Sequence, residues 1–125
     1  MSANEERRMH IGEVAERTEL SLRTLRHYDD VGLIVPSERT DGGFRLYTER
    51  DVERLLLIRR MKPLGFSLEQ MGEVLASRDA LERDPRDPAA RAALETFVED
   101  ARSRRERLAS QLSAADELLE RLATV

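Results

Sequence analysis

The sequence predicts a mainly α-helical chain: a helix-turn-helix, then a small two-stranded β wing, then a long C-terminal coiled-coil helix. Three observations carry this expectation. Two short amphipathic helical patterns flank the segment TELS, Gly42-Gly43 sits between two strand-like runs, and apolar residues recur every seven positions from Leu94 onward.

At 125 residues the chain has room for one small core. Charged residues make up 37 % of it and aromatics 4 %, a balance that suits exposed helices and a partner subunit. With no cysteine, the chain forms neither a disulfide nor a thiolate metal site. No apolar run approaches the roughly 20 residues of a membrane span, and MSANEERRMH lacks a signal-peptide core, so a cytoplasmic location without membrane association is expected. The net charge is −4, but acids and bases balance over residues 1–65 and the acidic excess lies beyond them. Any basic surface in the first half must come from how its arginines face.

Residues 1–8 are charged without periodicity and read as a flexible arm before a domain spanning 9–77. Ile11, Val14 and Ala15 mark a first helix of about two turns. Ser21 is the expected N-cap of a second helix, LRTLRHYDD, that ends near Gly32. Together they form a helix-turn-helix over residues 11–30. On a wheel of 100° per residue, Leu22 and Leu25 face inward, Arg23, Thr24 and His27 face away, and Arg26 and Tyr28 fall on the flanks.

Residues 36–47 read as a wing, with Gly42-Gly43 supplying the positive φ of its turn. Thr48 and Asp51 predict a capping box for a third helix, in which Val52, Leu55, Leu56, Ile58 and Met61 supply core and which Pro63 and Gly65 end. Ser67 and Gln70 predict a second capping box, opening a helix with Leu68, Met71, Val74 and Leu75 on one face. Residues 78–90 contain two prolines and dense charge, and read as a linker.

The dimerisation helix is expected over residues 91–123. Leu94, Ala101, Leu108, Ala115 and Leu122 are spaced by seven, and Val98, Arg105, Leu112 and Leu119 follow the first four by four residues. A 3.5-residue period held for about four heptads is a coiled-coil seam that needs a second helix to cover it. Arg105 within it either sets the register or snorkels to the edge. The arginines of ARSRRERL read as a solvated flank.

Catalytic residue types are nearly absent. His10 and His27 are the two histidines, no serine sits in a nucleophile-elbow context, and Gly42-Gly43 is too short to cradle a phosphate. Neither a catalytic site nor a metal or cofactor site is expected. Arg23, Arg26, Arg39 and Arg45, by contrast, lie on a helix and a hairpin that together can straddle a nucleic-acid duplex.

The run TLRHYDDVGLIVPSERTDGGFRLYT resembles the DNA-binding signature of the MerR family of bacterial transcription regulators: Thr-Leu-Arg-aromatic-Tyr-acidic, then Gly-Leu, Pro, Arg, and a wing ending Gly-aromatic-Arg-x-Tyr. IGEVAERT upstream and LLLIRRMKPLGFSLEQMGEVL downstream match as well, so the resemblance covers residues 10–77. It implies that Arg23, Arg26 and Tyr28 contact double-stranded promoter DNA from the recognition helix, with Arg39, Phe44, Arg45 and Lys62 on the backbone. Arg23, Thr24 and His27 point toward base edges, and Arg26 and Tyr28 toward phosphates. Tyr28 and Phe44 have packing as their alternative role. His27 stands where the family has an aromatic residue, so it either reads a base or is a plain surface histidine. Pro63 departs from a helix that is otherwise continuous.

The resemblance further implies an antiparallel homodimer that binds a pseudo-palindromic site, distorts the promoter spacer and meets RNA polymerase there. The chain ends directly after the heptads, so a member without a C-terminal effector domain is expected. Such a regulator acts without an effector, or is gated by a protein partner or a small ligand. A DNA-independent coiled-coil adaptor is the rival reading, and the arginines of helix and wing speak against it.

Overall fold

The computed structural model describes residues 7–125. Most of the expected arm, residues 1–6, lies outside them. The chain divides into two units, one up to Leu75 and one from Ala76 on.

In the first unit, strand β1 (Met9–His10) leads into helix α1 (Ile11–Thr18), and a turn through Glu19, at φ 58°, leads to helix α2 (Leu22–Asp30). Thr18 is fully buried and donates its hydroxyl to the Val14 carbonyl at 2.7 Å, which satisfies it inside α1. Ser21 caps α2 as expected, its Oγ accepting from the Thr24 amide at 3.0 Å. Past α2 the amides of Leu33 and Gly32 donate to the carbonyls of Tyr28 and Asp29 at 2.9 and 3.0 Å. With Gly32 at φ +76° this is a Schellman ending, which absorbs the last carbonyls and turns the chain toward the wing.

The wing is three-stranded rather than two-stranded. Strands β2 (Glu38–Arg39) and β3 (Arg45–Tyr47) pair antiparallel, and β1 adds to the other edge of β3 with Met9 opposite Tyr47, giving the order β1-β3-β2. Two residues are too few to show an alternating pattern, so β1 has no signature of its own. The hairpin closes through the Gly43 amide to the Thr40 carbonyl at 2.8 Å, and the positive φ falls on Gly43 (+85°) but not on Gly42. Gly43→Ala should therefore cost about 1 kcal/mol through the backbone alone, because a Cβ there meets nothing within 4 Å. At Gly42 a Cβ would come within 3.3 Å of the Phe44 ring, which is 70 % exposed and free to move, so Gly42→Ala should be nearly neutral. Urea melts of both variants test the contrast.

Helix α3 (Glu49–Met61) opens with the expected capping box: the Thr48 amide donates to Asp51 Oδ2 at 2.9 Å, and the Asp51 amide to Thr48 Oγ1 at 3.2 Å. Asp51 is itself buried and also accepts from the Ser37 hydroxyl at 2.8 Å. Val52, Leu55, Ile58 and Met61, spaced by three, form the buried stripe, while Leu56 is only half-buried. A 3₁₀ turn (Lys62–Leu64) containing Pro63 ends the helix at Gly65, φ +83°.

Helix α4 (Leu68–Arg83) starts from the second capping box, with the Ser67 amide to Gln70 Oε1 at 2.9 Å and the Gln70 amide to Ser67 Oγ at 3.1 Å. Met71, Val74 and Leu75 are buried, whereas Leu68, in the first turn, is 38 % exposed. Where a linker over 78–90 was expected, α4 continues to Arg83, and only residues 84–87 connect it to helix α5 (Pro88–Ala123). Asp87 caps α5 by accepting from the Ala90 amide at 3.0 Å, with Pro88 in the first turn, where its missing N–H costs nothing. The prolines thus mark a helix start. The helix has 36 residues and is about 54 Å long.

Candidate nucleic-acid interface

On α2 the residues turned to the core are Leu25 (1 % exposed) and Tyr28 (3 %). Three residues apart, they share one face, which leaves Arg23, Arg26 and His27 exposed and Thr24 half-buried. The wheel reading needs two corrections here. Tyr28 is a core residue rather than a flank residue, and Leu22 is 39 % exposed rather than inward. The buried face is centred on Leu25 and Tyr28, so Leu22, in the first turn, is left at its margin. Burial raises the Tyr28 phenol above its usual pKa and keeps it neutral.

An open groove of about 630 Å³ lies beside α2. Arg23, Thr24, His27 and Tyr28 line it from α2, Lys62 from the 3₁₀ turn, and Phe66, Ser67, Leu68 and Met71 from the start of α4. Five sequence-predicted residues, Arg23, Thr24, His27, Tyr28 and Lys62, thus come together. The Pro63 turn sets the Lys62 position, and Gly65 reverses the chain so that the capped start of α4 forms the opposite wall. Phe66, Ser67 and Leu68 carry no site signal in the sequence, although the capping box of Ser67 and Gln70 locates the helix start beside them.

The wing arginines are held differently. Arg39 Nη2 and Arg45 Nε both donate to Oδ2 of Asp29, at 2.6 and 2.7 Å, and Arg39 Nη1 also reaches the Gly43 carbonyl at 3.3 Å. The Asp29 side chain is 8 % exposed. Burial alone would raise its pKa, but the hydrogen bonds from Arg45 and Arg39, with their charges, carry it below the usual carboxylate range. Asp29 therefore ties the end of α2 to the strands on both sides of the hairpin. Its partners lie 10 and 16 residues away, so no local spacing announces them.

Several other arginines in this unit are paired as well. Arg17 pairs with Glu49 and Arg59 with Glu19, while Arg8 hydrogen-bonds Glu38 at 3.0 Å. Among the described residues, no carboxylate pairs with Arg23, Arg26 or Lys62, nor with Arg60, which lies outside the groove beside Leu56 and Pro63. Phe44 stands exposed at the hairpin tip. No group of three His, Cys, Asp or Glu residues among those described is placed to hold a metal ion, and no helix among them is long and apolar enough to cross a membrane.

Along α5, Leu94 and Ala101 are half-buried. Val98, Leu108, Leu112, Leu119 and Leu122 are exposed, from 43 % at Val98 to 65 % at Leu119, and so is Ala115. The full predicted seam is present on one continuous helix, and its residues from Arg105 onward are exposed.

A helix-turn-helix with a three-stranded wing and a long helix following it defines a winged-helix DNA-binding fold with a helical extension. The chain belongs to the MerR family: residues 9–78 match the model of the MerR HTH family regulatory proteins, and residues 52–124 match the MerR DNA-binding model. It is 45 % identical over 75 residues to the nodulation protein NolA of Bradyrhizobium elkanii, an alignment that covers 60 % of this chain and 34 % of that one. Over 68 residues it is 47 % identical to the transcriptional regulator ZntR of Escherichia coli, covering 54 % of this chain and 48 % of that protein. The chain therefore spans between a third and a half of these relatives. In structure it is similar to a MerR-family transcriptional regulator of Bacillus cereus, with a TM-score of 0.66 and 31 % identity over 91 % of this chain and 76 % of that one.

Proposed function

We propose that this chain is a sequence-specific DNA-binding transcription regulator that acts as a homodimer in the bacterial cytoplasm, and that it is not a catalyst. The observation that carries this reading is that Arg23 and Arg26 on the recognition helix and Lys62 across the groove from it have no acidic partner among the described residues, whereas Arg17, Arg39, Arg45 and Arg59 of the same unit do. Cations left unpaired on a recognition helix and the turn beside it suit phosphates that arrive from outside. Arg23, Thr24 and His27 present donors and acceptors toward the major groove from α2. Arg39 and Arg45, aligned by Asp29, reach the adjoining backbone with their remaining N–H groups, and Phe44 lies at the tip of the same hairpin.

The exposed heptads of α5 support a second copy that holds two recognition helices apart on a pseudo-palindromic promoter site. The names of ZntR and of the Bacillus cereus protein, both transcriptional regulators, suit a chain that acts at a promoter beside RNA polymerase. Distortion of the promoter spacer by the bound dimer is the mechanism the family likeness favours.

Selection of bound sequences from a random duplex pool tests the reading and returns half-site and spacing together. On the selected duplex, three or four phosphate contacts per subunit should give a slope of log K against log[salt] of roughly −5 to −7. Arg26→Ala should weaken binding to all sequences and reduce that slope by about 2 per dimer. A slope near zero, or unchanged binding after Arg26→Ala and Lys62→Ala combined, would remove the DNA reading.

A further inference from the structure

The homodimer reading leaves open which residues of two α5 helices meet, and here the side chains favour one answer. We propose that α5 pairs antiparallel with a second copy in a single register, in which Arg105 lies opposite the partner's Ala115 and, with Arg102, neutralises the partner's Asp116. This inference rests on the homodimer proposed above.

An antiparallel seam sets the positions of one sub-repeat against those of the other, so each register is defined by one constant sum of residue numbers. In the proposed register Val98 meets the partner's Leu122, and Leu108 meets the partner's Leu112. Leu119 meets the partner's Ala101, and Arg105 the partner's Ala115. Each long side chain of the last two layers faces an alanine, so volumes alternate across the seam and no large pair collides. The two-fold axis repeats all four, giving eight layers. Shifting the sum down by one heptad keeps eight layers and exchanges Leu122 for Leu94, whereas shifting it up by one heptad leaves six. One of these shifts places Arg105 against the partner's Leu108, and Glu95 beside the partner's Asp116, a like-charge pair.

Charge decides between the two eight-layer registers. Asp116 has Leu112, Ser113, Leu119 and Glu120 at the helical neighbour spacings, so no cation of its own helix can reach it as an i,i+3 or i,i+4 partner. Arg105 has Ala101, Arg102, Leu108 and Ala109 there, and so lacks a carboxylate. Arg104, by contrast, is held by Asp100 at 2.9 Å, and Arg102 by an exposed pair with Glu99 at 2.7 Å. In the proposed register Arg102 flanks the partner's Asp116 directly. Arg105, opposite the small Ala115 of the partner subunit, has room to turn its guanidinium toward the same carboxylate at the edge. The seam arginine thereby selects a register instead of merely tolerating burial.

The chain contains no cysteine, so cross-links can be mapped on an otherwise native background. Leu108→Cys and Leu112→Cys are made separately, and each full-length chain is weighed by sedimentation before oxidation. Mixing the two and oxidising should give a disulfide-linked heterodimer in high yield, whereas neither variant alone should cross-link. Self-linking of either one would show parallel pairing. Linking of Leu108→Cys to Arg105→Cys or to Leu119→Cys would show a shifted register. Each of these results overturns the proposed register while leaving the homodimer intact. A mass near 14.3 kDa throughout would overturn the homodimer and the register with it. As an independent measurement, Asp116→Arg should weaken dimerisation on the order of tenfold, each lost pair counting twice by symmetry, and adding Arg102→Asp should restore most of it. Equal dissociation constants for the wild-type chain and Asp116→Arg would contradict the charge pairing.

Discussion

Removing residues 94–125 is expected to leave a folded monomer that binds one half-site as the intact chain does, but a full site about 10²- to 10⁴-fold more weakly. The core residues Val14, Leu25, Tyr47, Leu55 and Ile58, each 0–1 % exposed, all precede the cut, so the winged-helix unit keeps its packing. What is lost is the apolar stripe of α5, on which Leu112, Leu119 and Leu122 are each more than 60 % exposed in the single chain. In the proposed homodimer, the second recognition helix would then no longer arrive at the millimolar effective concentration that a linked partner supplies. Anisotropy titrations with half-site and full-site duplexes, alongside sedimentation, measure both numbers. A truncated monomer that holds the full site as tightly as the intact chain would show that α5 has no part in binding.

Asp29→Asn is expected to cost about 1–2 kcal/mol of stability near neutral pH and to weaken DNA binding about tenfold or more while leaving the fold intact. One carboxylate oxygen holds both wing arginines; the amide that replaces it loses the charge, and two cations are left to find other partners. The estimate is kept low because Arg39 is 44 % exposed and water screens its share. The pH dependence follows from the sign of the shift. The folded carboxyl titrates below its unfolded value of about 3.9, so its stabilisation is fully present above that value and is lost as pH falls through the lower folded pKa. The gap between wild type and Asp29→Asn should thus be constant from pH 5 to 8 and should close below about pH 4. Glu49, lowered chiefly by its hydrogen bond from Arg17, adds a loss of the same sign in both proteins, so the variant still weakens in acid. Urea midpoints across pH give the curve; a gap that widens on acidification would mean that Asp29 is not ionised in the fold.

Asp29 also shows where sequence reasoning stops. Its position in the Thr-Leu-Arg-aromatic-Tyr-acidic run was visible, but its work was not, because its partners come from strands formed only when the chain closes on itself. Tyr28 repeats the lesson. A helical wheel can place it on a flank or on the buried side depending on where the centre of the face is drawn, and the neighbours that bury it decide. In the opposite direction, the prolines of residues 85–88 suggested a long linker, yet Asp87 and Pro88 are a helix start written in ordinary cap chemistry.

The sequence by itself determined the helices, their caps and the heptads of α5, because each depends on residues no more than seven positions apart. Ser21, Thr48 and Ser67 bond to the amides three residues on, and those signals survive without any tertiary context. Only the tertiary structure decided the third strand, since Met9 must find Tyr47, and only it brought Lys62 and the start of α4 alongside Arg23 and His27 in one groove. It also decided which arginines are free. An arginine's charge is written in the sequence, but whether a carboxylate neutralises it depends on distances between residues that the chain alone keeps far apart.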